Sequence, residues 1–359
     1  MKEYNAAVIG CGRMSRGHAA SYQSLGIPIV AAADISQEAL DFARENYGAE
    51  KTYTDYRQLL AEVKPDLVSV VTAELLHCEM VVAAAESGVK GIVCEKPMAM
   101  NLAEARRMVD ACKASGSKLT ISHQRYYDPQ YTKARELIAQ GAIGKVNFIE
   151  AFAMAPSIIT DGTHTIHMTM SLLGDPKVSY LIAQIDGNSD YQYFGHRCDH
   201  GGNAFVTFKN GCYAHLTWGL HTYGEQGRIH PKWNFQRYQY HAFLVHGETG
   251  ILELDGDFRY GGSNTEPLEL LRIHRCGEVE KVDHKWPMEK GSIAMEIQDL
   301  IESIENDKPH PLSGENGYAV TEVIMGIYES SRRRGVVHFP VEVMDNPFLD
   351  MCESGIFPG

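Results

Sequence analysis

The chain reads as two domains, an α/β domain on a parallel sheet and then an α+β domain on a mostly antiparallel one. Three observations carry this. Over the first ~120 residues, apolar strand runs alternate with helical patterns, which is how a parallel sheet with crossover helices is written. A glycine loop, Gly10-Cys11-Gly12, follows the first of those runs. From Lys145 to about Val282 strand-like alternation takes over. The 359 residues suffice for about two domains of roughly 150 residues each.

Ala6 to Gly10 is the expected first strand, Pro28 to Asp34 the second, Asp66 to Thr72 the third and Val89 to Cys94 the fourth. Helices are expected between them near Arg16 to Leu25, Gln37 to Tyr47, Leu75 to Ser87 and Leu102 to Ser115. Asn101 with Glu104 three residues on makes an N-cap and N3 pair for the last of these, and Gly116 closes it. Ser117 to Ser122 is a closing strand. A polar, aromatic stretch from His123 to Tyr131 leads into a helix ending at Gly141. In the second domain one helix near Ile166 to Leu173 interrupts the strands, and two more follow near Ile293 to Glu305 and Tyr318 to Arg333. The expected division is 1–123 and 124–359, with the late helices able to pack back on the first domain. There is no internal repeat and no low-complexity segment.

Composition excludes several function classes. The formal net charge of -13 argues against nucleic acid, which needs a cationic surface, and against anionic membranes. No apolar run approaches the ~20 residues of a membrane span. Strand-like sequence starts at Tyr4, leaving no room for a signal peptide. The 8 cysteines form no CxxC pair, which favours reduced thiols and a cytoplasmic protein. The 16 histidines are dispersed, and no metal site is expected.

Gly10-Cys11-Gly12-Arg13-Met14-Ser15 links the first strand to a helix. The first glycine permits the tight turn, and the second lets backbone N–H groups approach a pyrophosphate. Ser15 stands where a third glycine often does and is small enough for close packing. Asp34 ends the second strand, about 20 positions past the glycines, where a carboxylate accepts from a ribose 2′-OH and repels a 2′-phosphate. The cofactor expected is therefore NAD rather than NADP, held by Gly10, Gly12, Arg13, Met14 and Asp34. Ligands of an open α/β sheet sit outside the carboxyl ends of its strands. That places Thr72 and His77 of the turn after the third strand, and Glu95 and Lys96 after the fourth, beside the cofactor. His77 has a second reading, as a packing residue at a helix start.

Pro97 cannot continue a strand ladder, so the segment Cys94-Glu95-Lys96-Pro97 fixes a lysine at a strand end. A cis Lys96-Pro97 bond is one way of aiming it. These residues resemble the Gfo/Idh/MocA oxidoreductase family. The resemblance spans nearly the whole chain: the glycine loop with His18 beyond it, the Thr72 to His77 turn, Glu95-Lys96-Pro97, Arg125-Tyr126-Tyr127-Asp128-Pro129, Gly141 to Val146, Asn210-Gly211-Cys212, Gly247 to Gly250 and Glu329-Ser330-Ser331. It implies a Rossmann domain followed by an open-faced sheet domain whose exposed face makes a homodimer or homotetramer. It also implies NAD(P)-dependent oxidation or reduction of a sugar, polyol or sugar derivative.

Hydride transfer from a carbinol needs the hydroxyl proton removed, work that a lysine and a histidine can divide. Lys96 is the expected first partner. The family pattern of roughly Asp-x-x-x-His-x-x-Asp, aligned on Gly174, places the histidine at His164. It puts the final Asp at His167 and the first at Thr160, with Asp161 one place off. Three readings stay open: His164 as acid/base with His167 lining the substrate pocket; Asp161 or His167 taking part of the proton traffic; or the two histidines as metal ligands. Arg125 and Tyr126 complete the expected substrate contacts. The aromatic-rich segment from His221 to His241 reads as interface material or as a loop reaching a neighbouring site. His196 to His200 is a substrate-contacting or merely polar loop. Rival functions are a redox-neutral NAD enzyme that cleaves a glycoside or epimerises a centre, and a non-catalytic NAD or sugar sensor.

Overall fold

The computed structural model describes residues 3–155, 157–187, 192–193, 195–219, 241–254, 271–283 and 290–357. The aromatic segment singled out above, apart from His241, lies outside them. The chain divides into two compact units, Met1–Gln124 with Glu289–Thr321, and Arg125–Met288 with Glu322–Gly359.

The first unit is built on a six-stranded sheet. From edge to edge its strands are Lys51–Tyr53, Ile29–Ala33, Ala6–Ile9, Leu67–Val70, Gly91–Cys94 and Lys118–Ile121. Every pairing is parallel, and the order, with a reversal beside the first strand, is that of a doubly wound dinucleotide fold. The strands are continuous apolar runs because both faces are covered. One apolar layer includes Ile9, Val70, Val81, Met108 and Leu119; the other includes Val8, Tyr22, Leu40 and Val93.

The helices begin and end where local chemistry dictates. Ser36 caps Gln37–Tyr47 by accepting from the Ala39 N–H, and left-handed Gly48 closes it. Asn101 accepts from the Glu104 N–H at 2.8 Å to start Leu102–Ser115. The Glu104 carboxylate reaches the Met100 N–H at 3.3 Å, one residue short of a reciprocal capping box. The sequence reading passed over the Lys51–Tyr53 strand and the Tyr56–Val63 helix. The strand is three residues long at a sheet edge and only Tyr53 is buried, so no periodicity announces it.

Residues 289–321 cluster with the first unit. The reason is the Ser292–Asn306 helix, which carries Ile293, Ile297, Leu300 and Ile304 along one face and lays them on the sheet. The approach is close at Gly91, where a Cβ would come within 2.8 Å of Ile304 Cδ1 and 2.9 Å of Leu67 Cδ2.

The second unit holds a mixed sheet. Its described strands run in the order Glu278–Lys281, Leu271–Arg275, Ile251–Leu254, His241–Gly247, Val146–Ala153, Tyr213–Trp218, Gly201–Phe208, Val178–Asp186, Val337–His338. All pair antiparallel except Tyr213–Trp218 with Val146–Ala153. Helices Pro129–Ala139 and Gly162–Leu172 pack on this sheet. Strand residues alternate accordingly: Leu181, Ala204, Val206, Ala214 and Leu216 are buried, while Tyr180, Ile182, Phe205 and Tyr213 stay exposed.

Candidate functional site

In the first unit the glycine loop is held from both sides. Gly10 has φ of +90°, and a Cβ there would meet the Val71 carbonyl oxygen at 2.4 Å, so only glycine fits. Asp34 accepts from the Cys11 N–H at 2.7 Å with one oxygen and from the Ser36 N–H at 2.8 Å with the other. Ser15 Oγ donates to the Gly12 carbonyl at 2.6 Å and lies 2.7 Å from Tyr47 Oη, locking the loop to the helix that follows. That helix, Ser15–Ser24, starts with no side-chain cap and no acidic residue in its first turn. Its first N–H groups and the positive end of its dipole are therefore left for an anion. Gly12, Arg13 and Met14 are exposed around it, and a Cβ on Gly12 would meet nothing within 4 Å. These features fit the pyrophosphate of a dinucleotide. Ile35, beside Asp34, is 93% exposed, an apolar side chain in water that the sequence reading missed.

Lys96 is half-buried at the end of the Gly91–Cys94 strand, and its bond to Pro97 is cis. Glu95 beside it is buried, with Oε1 3.1 Å from His18 Nε2 and Oε2 accepting from the Lys96 N–H at 3.2 Å. Burial alone would raise the Glu95 carboxyl. The hydrogen bond from His18 and the charge of Lys96 work against it, and the group is held below its ordinary value. Glu74 is a second buried carboxyl under the influence of Lys96. Burial pushes it up, against its own backbone hydrogen bond and the lysine charge.

His77 is 1% exposed. Its Nδ1 lies 2.9 Å from the Pro97 carbonyl oxygen and its Nε2 3.2 Å from that of Thr72. Burial pushes the imidazole down despite these carbonyls. The ring ties the Thr72 turn to the Lys96-Pro97 turn, which is the packing reading. Thr72 itself is half-buried.

Asp161, His164, His167, Arg125 and Tyr126 lie in the second unit. Asp161 occupies the N-cap position of Gly162–Leu172 without capping through its side chain. His164 and His167 are both inside that helix, which is buried on all sides, so its sequence shows little amphipathic pattern. The His164 ring stands edge-on to His241 at 5.8 Å between centroids, and His167 stands edge-on to Tyr126 at 5.9 Å. His241 Nδ1 is 2.6 Å from Thr165 Oγ1, so a residue read as interface material joins the histidine group. Arg135 stacks over the Tyr126 ring at 3.7 Å and donates to its carbonyl at 2.6 Å. Arg125 is buried in the short turn Gln124–Tyr127. Among the described residues, no three or more His, Cys, Asp or Glu side chains are grouped so as to hold a metal ion.

The His196 to His200 stretch contains a buried anchor. Asp199 accepts from Ser157 Oγ at 2.6 Å, Tyr328 Oη at 2.6 Å, Trp218 Nε1 at 2.6 Å and the Ile158 N–H at 3.1 Å. Burial pushes its carboxyl up, and the four donors pull it back. Ser157 in turn accepts from the Gly162 N–H through its carbonyl, at 3.2 Å. The start of the histidine-bearing helix is thereby fixed to Asp199.

The chain matches the oxidoreductase family, NAD-binding Rossmann fold, over residues 4–123 and the same family's C-terminal alpha/beta domain over residues 154–339. It belongs to the Gfo/Idh/MocA oxidoreductase family, and its first unit is an NAD-binding Rossmann domain. Among curated proteins it is similar to a D-apiose dehydrogenase of Paraburkholderia graminis, 32% identical over 192 residues covering 49% of this chain and 51% of that one. It is also similar to a myo-inositol 2-dehydrogenase of Thermotoga maritima, 31% identical over 151 residues covering 42% of this chain and 45% of that one. The chain spans about half the length of the curated relatives it matches. An aldose-aldose oxidoreductase from Caulobacter crescentus, solved with glycerol, shares the fold with a TM-score of 0.77 at 21% identity, over 94% of this chain and 100% of that one.

Proposed function

We propose that this protein is an NAD-dependent dehydrogenase of a sugar, polyol or sugar derivative, with Lys96 and His164 handling the hydroxyl proton. The observation that carries the reading is the uncapped helix start after Gly12, on an NAD-binding Rossmann domain whose Gly91–Cys94 strand is followed by a half-buried lysine. NAD supplies the hydride acceptor. Gly12 and the first N–H groups of the Ser15–Ser24 helix hold the pyrophosphate, Asp34 holds the ribose, and Ile35 offers its exposed face to the adenine. Thr72 contributes beside them, and His77 acts by tying its turn to that of Lys96. Lys96 hydrogen-bonds the reacting oxygen, and His164 exchanges its proton. Arg125, Tyr126 and His167 bind the substrate hydroxyls, with Asp161 at the same helix start. The dehydrogenase names of the similar curated proteins support the substrate class. The open sheet face, with Phe205 and His215 stacked at 4.4 Å and Phe148 and Tyr213 at 4.6 Å, is the surface through which copies of the chain associate.

The test is NADH absorbance in mixtures of the protein, NAD and a panel of pentoses, hexoses, inositols and glycosides. Sustained NADH production with at least one of them is expected. Cleavage of a glycoside without net NADH would replace this reading with redox-neutral chemistry. Lys96→Ala and His164→Ala are each expected to cut turnover by about 100-fold or more, with NAD affinity retained. Full activity in either variant removes that residue from the proton pathway.

A further inference from the structure

Four buried side chains outside the proposed chemistry form one hydrogen-bonded line that ends at Lys96. Tyr22 Oη lies 2.9 Å from Ser69 Oγ, Ser69 Oγ lies 3.1 Å from His18 Nδ1, and His18 Nε2 lies 3.1 Å from Glu95 Oε1. The other Glu95 oxygen accepts from the Lys96 N–H at 3.2 Å. Tyr22, Ser69 and His18 are fully buried and Glu95 is 5% exposed. The residues come from three separate segments: the helix after the glycine loop, the Leu67–Val70 strand and the Gly91–Cys94 strand end.

We propose that Tyr22, Ser69, His18 and Glu95 are a positioning relay that fixes the backbone and the local charge at Lys96; this rests on Lys96 being the proton-handling lysine. The donors and acceptors close in a single direction. An ionised carboxylate only accepts, so His18 carries its proton on Nε2 and gives it to Glu95. Nδ1 is then free to accept from the Ser69 hydroxyl, and Ser69 accepts from the phenol. Every N–H and O–H hydrogen of these side chains then has an acceptor in the line. Burial keeps Tyr22 a phenol by raising it, and the His18 contact keeps Glu95 ionised against burial. An apolar cluster of equal volume would hold the Ser15–Ser24 helix on the sheet at lower desolvation cost. A buried carboxylate adjoining a strand-end lysine therefore points to a task beyond packing.

The test compares H18A, H18Q, E95Q and K96A with the parent enzyme, using NAD and the sugar turned over fastest in the panel. H18A and E95Q are expected to lower kcat by about 10- to 100-fold, with KM for NAD and NAD affinity by fluorescence titration within about twofold. H18Q keeps an N–H able to reach Glu95 and is expected to recover most of the loss. In histidine-labelled protein without cofactor, 15N spectra are expected to show His18 protonated at Nε2. Parent-level kcat in H18A and E95Q, with K96A inactive, overturns the relay and leaves Lys96 in place. H18Q losing as much kcat as H18A in step with melting temperature makes the cluster a packing element and also overturns it. An active K96A removes the premise itself, and a His18 proton on Nδ1 removes the direction of the relay.

Discussion

Glu296 shows how far a side chain's behaviour can move from its letter. It sits on the Ser292–Asn306 helix, fully buried, with Oε2 accepting from Ser122 Oγ at 2.9 Å. Burial pushes its carboxyl well above the usual range, and the Glu95 charge pushes the same way against the Ser122 bond. The unfolded chain releases this proton near pH ~4.3, whereas the folded chain retains it. Above that pH the native state binds more protons than the unfolded one, so this group subtracts stability as pH rises. Glu296→Gln removes that term. The variant is expected to match the parent near pH 4 and to gain on it by up to about 1.4 kcal/mol per pH unit above. Urea titrations at pH 4, 5.5 and 7 check this; a gap that does not widen with pH contradicts it. Nothing around Glu296 in the sequence marks it as a proton-retaining acid. Its environment comes from Ser122 and Glu95, which are more than 170 positions away in the chain.

At the scale of elements, Asp199 joins parts that local sequence treats as unrelated. Its oxygens accept from the loop at Ser157 and Ile158, from Trp218 at the end of a strand and from Tyr328 on the Gly314–Arg333 helix. Asp199→Ala leaves these donors buried without their acceptor, each costing on the order of 1–3 kcal/mol. A loss of roughly 3 kcal/mol or more by denaturant titration is expected. Because the Ser157 carbonyl holds the first turn of the His164 helix, turnover is expected to fall further than the fraction unfolded accounts for. Stability near that of the parent contradicts this account. The helices Gln37–Tyr47 and Leu102–Ser115 were legible to the residue because caps at Ser36 and Asn101 and glycines at 48 and 116 are local devices. The Gly162–Leu172 helix was placed late and short, since a helix buried all round carries no polar face to read.

For the whole molecule, the open sheet face of the second unit presents Tyr180, Ile182, Phe205 and Tyr213 to solvent. Ile182 and Phe205 are cross-strand partners, so charges placed on both lie side by side. The double variant Ile182→Glu with Phe205→Glu is expected to reduce the particle mass in analytical ultracentrifugation to that of one chain, 39.9 kDa, while the parent sediments as a multiple. A parent that already sediments as a single chain, or a variant of unchanged mass, takes the association face off this sheet.

The sequence by itself determined the parallel sheet, its glycine loop with Asp34, the strand-end lysine and the family. Each is written in neighbouring residues: short apolar runs, glycines where the backbone turns or comes close, and a proline that stops a ladder. Tertiary structure alone decided the partners. His77 packs between the Pro97 and Thr72 carbonyls, His241 joins His164, Asp199 anchors a distant turn, residues 289–321 join the first unit, and Tyr22, Ser69 and His18 converge on Glu95. The physical reason is that a buried polar group is satisfied by whatever the fold brings to it, and chain spacing does not encode that encounter.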